Sequence, residues 1–205
     1  MPEFILKLLK RKNYLLKKEI SFPIIILFIL IFFSFIWNSL LVEAQEDEIV
    51  TAKTLISRDG IHPGESFKAA FVLNIVSGWH INGPRLDNEF LIPSELIIDE
   101  SDKIKVLSLH YPKPESERFD YSEAEVLVYE GKILLGALIK VSDDIALKKH
   151  FLKASFLYQP CDDRSCMAPR TLKLEIPFQV VPLSKKTEEI NKEIFSKLET
   201  GKEDK

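Results

Sequence analysis

Cys161 and Cys166 are the only cysteines in this 205-residue chain, and Asp162-Asp163-Arg164-Ser165 separates them. Two thiols so placed can close into a disulfide, exchange with a disulfide of another protein, or hold a soft metal ion. The four residues between them read as a connecting turn. Facing positions on an antiparallel pair bring α-carbons within about 4.5 to 5.5 Å, which suits a disulfide with little backbone movement. A structural staple is the ordinary expectation for an exported protein with no competing cysteine. Against it, chain entropy gives so short a loop only about 2 kcal/mol, and a hairpin already closed by its strands gains less. An exposed pair at a hairpin tip is open to a partner's thiolate, which exchange requires. Arg164 favours a thiolate while Asp162 and Asp163 disfavour it, so the pair is not a strong oxidant by itself.

Softness supports a different chemistry. Cys161, Cys166 and Met167 could hold Cu(I), with His80, His110 or His150 completing the site. The spacing matches no known ligand signature, and a Met beside a cysteine more often packs, so no metal is assigned. There is no catalytic triad, paired-carboxylate or phosphate-loop pattern. The seven glycines are scattered, which speaks against hydrolase and nucleotide chemistry, and no cofactor is expected.

The elements that must position the pair are short and β-favouring. Phe67, Ala69, Phe71, Leu73 and Ile75 share one face with period two, and Leu172, Leu174, Ile176, Phe178 and Val180 alternate with Lys173, Glu175 and Gln179. Strands are expected over 49–57, 67–76, 94–98, 104–109, 124–129, 132–141, 150–158 and 171–181. Asp59-Gly60, His62-Pro63-Gly64, Glu130-Gly131 and Asp143-Asp144 read as turns. The cysteines then flank the tip of the hairpin between the last two strands. Eight strands without intervening helices predict an antiparallel sandwich, with a closed barrel as the alternative.

Apolar residues make up 46% and charged residues 29% of the chain, a globular composition with an uneven distribution. Lys7, Lys10, Arg11, Lys12, Lys17 and Lys18 precede an apolar run over 20–42, which reads as a membrane-directed segment delivering the rest of the chain to the far side. Val42-Glu43-Ala44 offers a cleavage site before Gln45, but the run is also long enough for a permanent anchor. Six basic and three acidic residues lie in 1–44, which leaves 22 basic against 28 acidic from Gln45 onward, a net −6. That balance argues against a nucleic-acid partner. The expected organisation is a signal or anchor over 1–44, a β domain over 45–183, and a charged tail over 184–205. In the tail, Ile190, Ile194, Phe195 and Leu198 have helical spacing, which predicts a short amphipathic helix docked on the domain rather than on a partner.

Gly78-Trp79-His80-Ile81-Asn82, Leu91-Ile92-Pro93-Ser94-Glu95-Leu96, Tyr129-Glu130-Gly131, and Tyr158-Gln159-Pro160-Cys161 followed by Cys166 and Pro169 occur in that order. Together they resemble the N-terminal periplasmic domain of the DsbD thiol-disulfide interchange protein family over nearly all of 48–182. The resemblance implies an immunoglobulin-like sandwich that passes reducing equivalents to oxidised periplasmic proteins, as a component of a protein-disulfide reductase. By position, Cys166 would attack the partner's disulfide and Cys161 would resolve the mixed disulfide. It also implies a cap loop at Arg118-Phe119-Asp120-Tyr121, with Phe119 or Tyr121 shielding the pair and Tyr158 beside it. Trp79 and the residues around it read as a fold marker. DsbD continues into a multi-helix membrane domain and a thioredoxin-like domain, which do not follow here. The expectation is a stand-alone domain whose membrane electron donor is a separate chain and whose partners are thioredoxin-like or disulfide-bonded periplasmic proteins. Partner binding or metal handling is the other use such a domain could serve.

Overall fold

The computed structural model describes residues 48–86 and 90–200, the last two by backbone alone, together with residues 26–27 and 30–32. Contacts divide the chain into Met1–Asp47 and Glu48–Lys205. The expected membrane-directed segment falls outside the described residues except at 26–27 and 30–32, which are helical. Among the described residues no helix is long and apolar enough to cross a membrane.

The second unit is all-β, with eleven strands: β1 (Val50–Ile56), β2 (Ser66–Ile75), β3 (His80–Asn82), β4 (Glu95–Ile98), β5 (Ile104–His110), β6 (Glu115–Glu117), β7 (Val126–Glu130), β8 (Lys132–Val141), β9 (Lys149–Tyr158), β10 (Pro160–Cys161) and β11 (Arg170–Gln179). They form three antiparallel sheets in the orders β1-β2-β8-β5, β10-β3-β7-β6 and β11-β9-β4. None of the three closes on itself, so the arrangement is the immunoglobulin-like sandwich and not the barrel.

The alternating patterns form the main core. Phe67, Ala69, Phe71, Leu73 and Ile75 of β2 meet Leu96 and Ile98 of β4, Leu152, Ala154 and Phe156 of β9, and Ile176 and Phe178 of β11 in one cluster. Each such large side chain contributes about 1.5 to 3 kcal/mol on burial. Pro177, which has no N–H to give, lies on the edge strand β11 and faces outward.

The eight expected strands all form, with ends shifted by at most two residues. The short helix expected in the tail forms, but it begins after Ile190. After a turn at 183–185, the tail's residues up to Ile190 run beside the end of β1, with Ile190 N–H donating to the Ser57 carbonyl and Asn191 Nδ2 to the Ile56 carbonyl. Among the tail's described residues only Lys192–Thr200 is helical (α1). Phe195 is buried, and Leu198 covers Gly136 so closely that an added Cβ there would lie 3.2 Å from it.

Glu130-Gly131 is not a chain-reversing turn. β3 pairs with β7 as β2 pairs with β8, so the β3/β7 ladder continues the β2/β8 ladder through a bend. Gly78 and Gly131 mark the bend on its two sides, both at positive φ (81° and 57°), and Ile75 N–H donates to the Gly131 carbonyl at 2.7 Å. This bend sets the small sheet apart from the sheet it extends.

Candidate functional site

The small sheet carries the cysteines. The chain leaves β9 at Tyr158, passes through Gln159, and joins β3 as β10, with Pro160 opposite Ile81 and Cys161 opposite His80. Gln159 is buried and braces this switch. Its Oε1 accepts from Ile92 N–H at 2.9 Å and Asn82 Nδ2 at 3.2 Å, and its Nε2 donates to the Met167 carbonyl at 3.1 Å. The motif Tyr158-Gln159-Pro160-Cys161 thus has a mechanical basis, since the glutamine ties three segments together behind the disulfide.

Cys161 and Cys166 are bonded, with α-carbons 4.0 Å apart. Asp162 N–H donates to the Ser165 carbonyl and Met167 N–H to the Pro160 carbonyl, both at 2.9 Å, which makes the cysteines a non-hydrogen-bonded antiparallel pair. That is the narrow position of such a ladder, and the α-carbons are closer than the spacing expected from sequence. Asp162 caps the turn by accepting from the N–H groups of Arg164 (2.9 Å) and Ser165 (2.7 Å), which hold its carboxyl below the usual range. Its charge therefore serves the turn.

The two sulfurs are not equivalent. Cys161 is fully buried (0% exposed) whereas Cys166 is half-buried, so the expectation that both lie open at a hairpin tip is corrected. The difference follows the sheet switch: Cys161 lies within the small sheet, on the strand paired with β3, and Cys166 lies beyond the turn, outside the named strands. Cys166 packs in a cluster apart from the main core, with Leu91, Val126 and Val128 as its buried centre and Leu86, Phe119 and Tyr121 around it. The loop 118–122 is fastened to the cysteine turn by Asp120 N–H donating to the Asp163 carbonyl at 3.3 Å.

His80 lies where these parts meet. Its ring stacks on Phe119 with centroids 4.0 Å apart, and its Nε2 is 2.7 Å from the Tyr121 hydroxyl. Phe119 and Tyr121 are parallel to within 3° at 5.2 Å. Burial lowers the His80 pKa below its usual 6.5, against the opposing pull of Asp163 and Asp162, and the imidazole is neutral near pH 7. Burial likewise pushes the Tyr121 phenol up to about 12, with the two aspartates adding to the rise.

Phe119, Tyr121, Cys161 and Cys166 are thus brought together. Tyr158 is not in the cluster with Cys166; it lies in the main core, 6.0 Å from the Phe156 ring. Sequence reasoning weighed His80 only as a possible Cu(I) ligand and passed over Asn82 and Gln159, although all three stand inside motifs that carried the resemblance. A polar residue in an otherwise apolar β segment was the available signal. Of the other histidines, His150 bonds the Ala146 carbonyl and His110 lies on β5 in the first sheet. Among the described residues no group of three or more His, Cys, Asp or Glu is arranged to hold a metal ion.

No protein-family model matches this chain, and no curated protein matches it. Among solved structures, the N-terminal periplasmic domain of ScsB from Proteus mirabilis is similar over 68% of this chain and 49% of that one, at 12% identity and a TM-score of 0.45. The chain spans about half the length of that structure. AggA, the major subunit of aggregative adherence fimbriae type I from Escherichia coli, is similar over 64% of this chain and 95% of its own, at 9% identity and a TM-score of 0.31. The sandwich assignment rests on the strand pairing of the chain itself.

Proposed function

We propose that the domain is an exported thiol–disulfide exchange module that hands reducing equivalents to partner proteins through Cys161 and Cys166. The observation that carries this reading is the asymmetry of the pair, Cys161 fully buried on the strand paired with β3 and Cys166 half-buried at the edge of a small aromatic-covered cluster. In the reduced domain, the Cys166 thiolate attacks one sulfur of a partner disulfide, forming a mixed disulfide and releasing the other sulfur as a thiolate. Cys161, as thiolate, then attacks the Cys166 sulfur. The Cys161–Cys166 bond forms, the partner leaves as a dithiol once protonated by solvent, and two electrons have passed to it. A membrane electron donor would reduce the domain again. The cationic flank and apolar run near the N-terminus support delivery across the membrane.

Burial of Cys161 also suits a structural staple in an exported binding domain, and the reduction potential separates the two readings. A value of about −200 to −270 mV, where exchange proteins lie, supports the module; a value below about −300 mV sinks it in favour of the staple. Cys161→Ser should accumulate mixed disulfides through Cys166 in the native compartment. Cys166→Ser should accumulate far fewer, because the remaining sulfur is enclosed.

A further inference from the structure

We infer that His80 is a positioning residue that latches the loop 118–122 over Cys166, its ring flat against Phe119 and its Nε2 hydrogen-bonded to the Tyr121 hydroxyl. The inference rests on the exchange reading, because it states how access to the attacking sulfur is controlled.

One side chain reaches both aromatics of the loop from outside it. His80 comes from β3, where it is the cross-strand partner of Cys161, while Phe119 and Tyr121 belong to the loop that leads into β7. The latch therefore joins the strand paired with the buried cysteine to the loop beside the half-buried one. The backbone tie between loop and cysteine turn, from Asp120 to Asp163, is long at 3.3 Å. The hydrogen bond from His80 is short and lies inside the cluster.

Packing alone would be met by a leucine or phenylalanine at this position. An imidazole supplies in addition a flat face and a directed polar bond, and a fully buried polar ring needs such a partner. Tyr121 meets that need only while the loop is down. Opening the loop breaks the His80–Phe119 ring stack, the His80–Tyr121 hydrogen bond and the long tie from Asp120 to Asp163, few enough for a docking protein to displace yet enough to slow an untargeted thiol.

The test is the rate at which dithiothreitol reduces the disulfide in the oxidised full-length protein. Tyr121→Phe removes one oxygen and His80→Phe removes the other end of the same bond while keeping a ring. Each should speed reduction about three- to tenfold, the span of one neutral hydrogen bond. The double variant should be no faster than the faster single, since both remove a single interaction. Unchanged rates overturn the latch, as do effects that multiply in the double variant. Should His80→Phe fail to fold, Tyr121→Phe alone carries the result. The reduction potential measured on the same samples keeps the two ideas apart. A potential typical of structural disulfides defeats the exchange reading whatever the rates, and unchanged rates at an exchange-type potential defeat only the latch.

Discussion

The main core and the cysteine cluster are built on opposite terms. The core joins long strands of up to ten residues, and its buried members are hydrophobic side chains drawn chiefly from the two larger strand groups, with Ile81 and Tyr129 added from the small sheet. The cluster has three buried hydrophobics, sits on strands of two to five residues, and is held together by the buried polar groups His80, Asn82 and Gln159. Apolar area gives the first region its stability, and directed hydrogen bonds give the second its geometry. A region of few apolar contacts can open by itself while the rest stays folded, which is what access to a sulfur demands.

The largest effect should come from the core. Phe71→Ala removes a fully buried ring and should cost about 3 to 5 kcal/mol in urea unfolding. Gln159→Leu should cost about 1 to 3 kcal/mol, because Ile92 N–H and Asn82 Nδ2 lose an acceptor and the Met167 carbonyl loses a donor. Most of that loss should show as faster hydrogen exchange at Ile92. If Gln159→Leu lowers global stability as far as Phe71→Ala, the regions form one cooperative unit and the contrast fails.

Reduction of the Cys161–Cys166 bond should lower stability by about 2 kcal/mol or less, since the closed loop is short and Met167 to Pro160 already holds its base. Comparing unfolding midpoints of the oxidised and reduced protein measures it. A much larger loss would make the bond a staple for the whole sandwich.

The smallest effect is that of pH. Because burial lowers the His80 pKa, the unfolded chain binds a proton before the folded site does. The contribution of His80 is therefore complete above about 6.5 and falls as pH drops from there towards its lowered folded value. Asp162 and Asp163 oppose the shift, Tyr121 stays a neutral phenol, and Glu130, opposite His80 on β7, has a raised pKa that acts in the reverse sense in the carboxylate range. Unfolding midpoints of wild type and His80→Phe should diverge on acidification below about pH 6.5, with wild type losing more. Parallel curves would remove His80 from the linkage.

The long strands were legible because period two needs length to declare itself. β2, β8, β9 and β11 each run ten residues and alternate or stay apolar throughout, so their existence and, for β2 and β11, their inward faces follow from local residue order. The pairing of the cysteines was legible too, since there are only two and a four-residue turn joins them. β3, β6 and β10 were not, because two or three residues cannot show a period.

The sequence by itself determined the all-β class, the buried faces of the clearest strands, and which two sulfurs can bond, since these depend on neighbours in the chain. Only the tertiary structure decided which sulfur is sealed, that Gly131 bends a ladder instead of reversing it, and that His80 meets Phe119 and Tyr121. Those outcomes depend on cross-strand register and on a switch of sheets at Gln159, which bring together residues some 40 to 80 positions apart and leave no local mark in residue order.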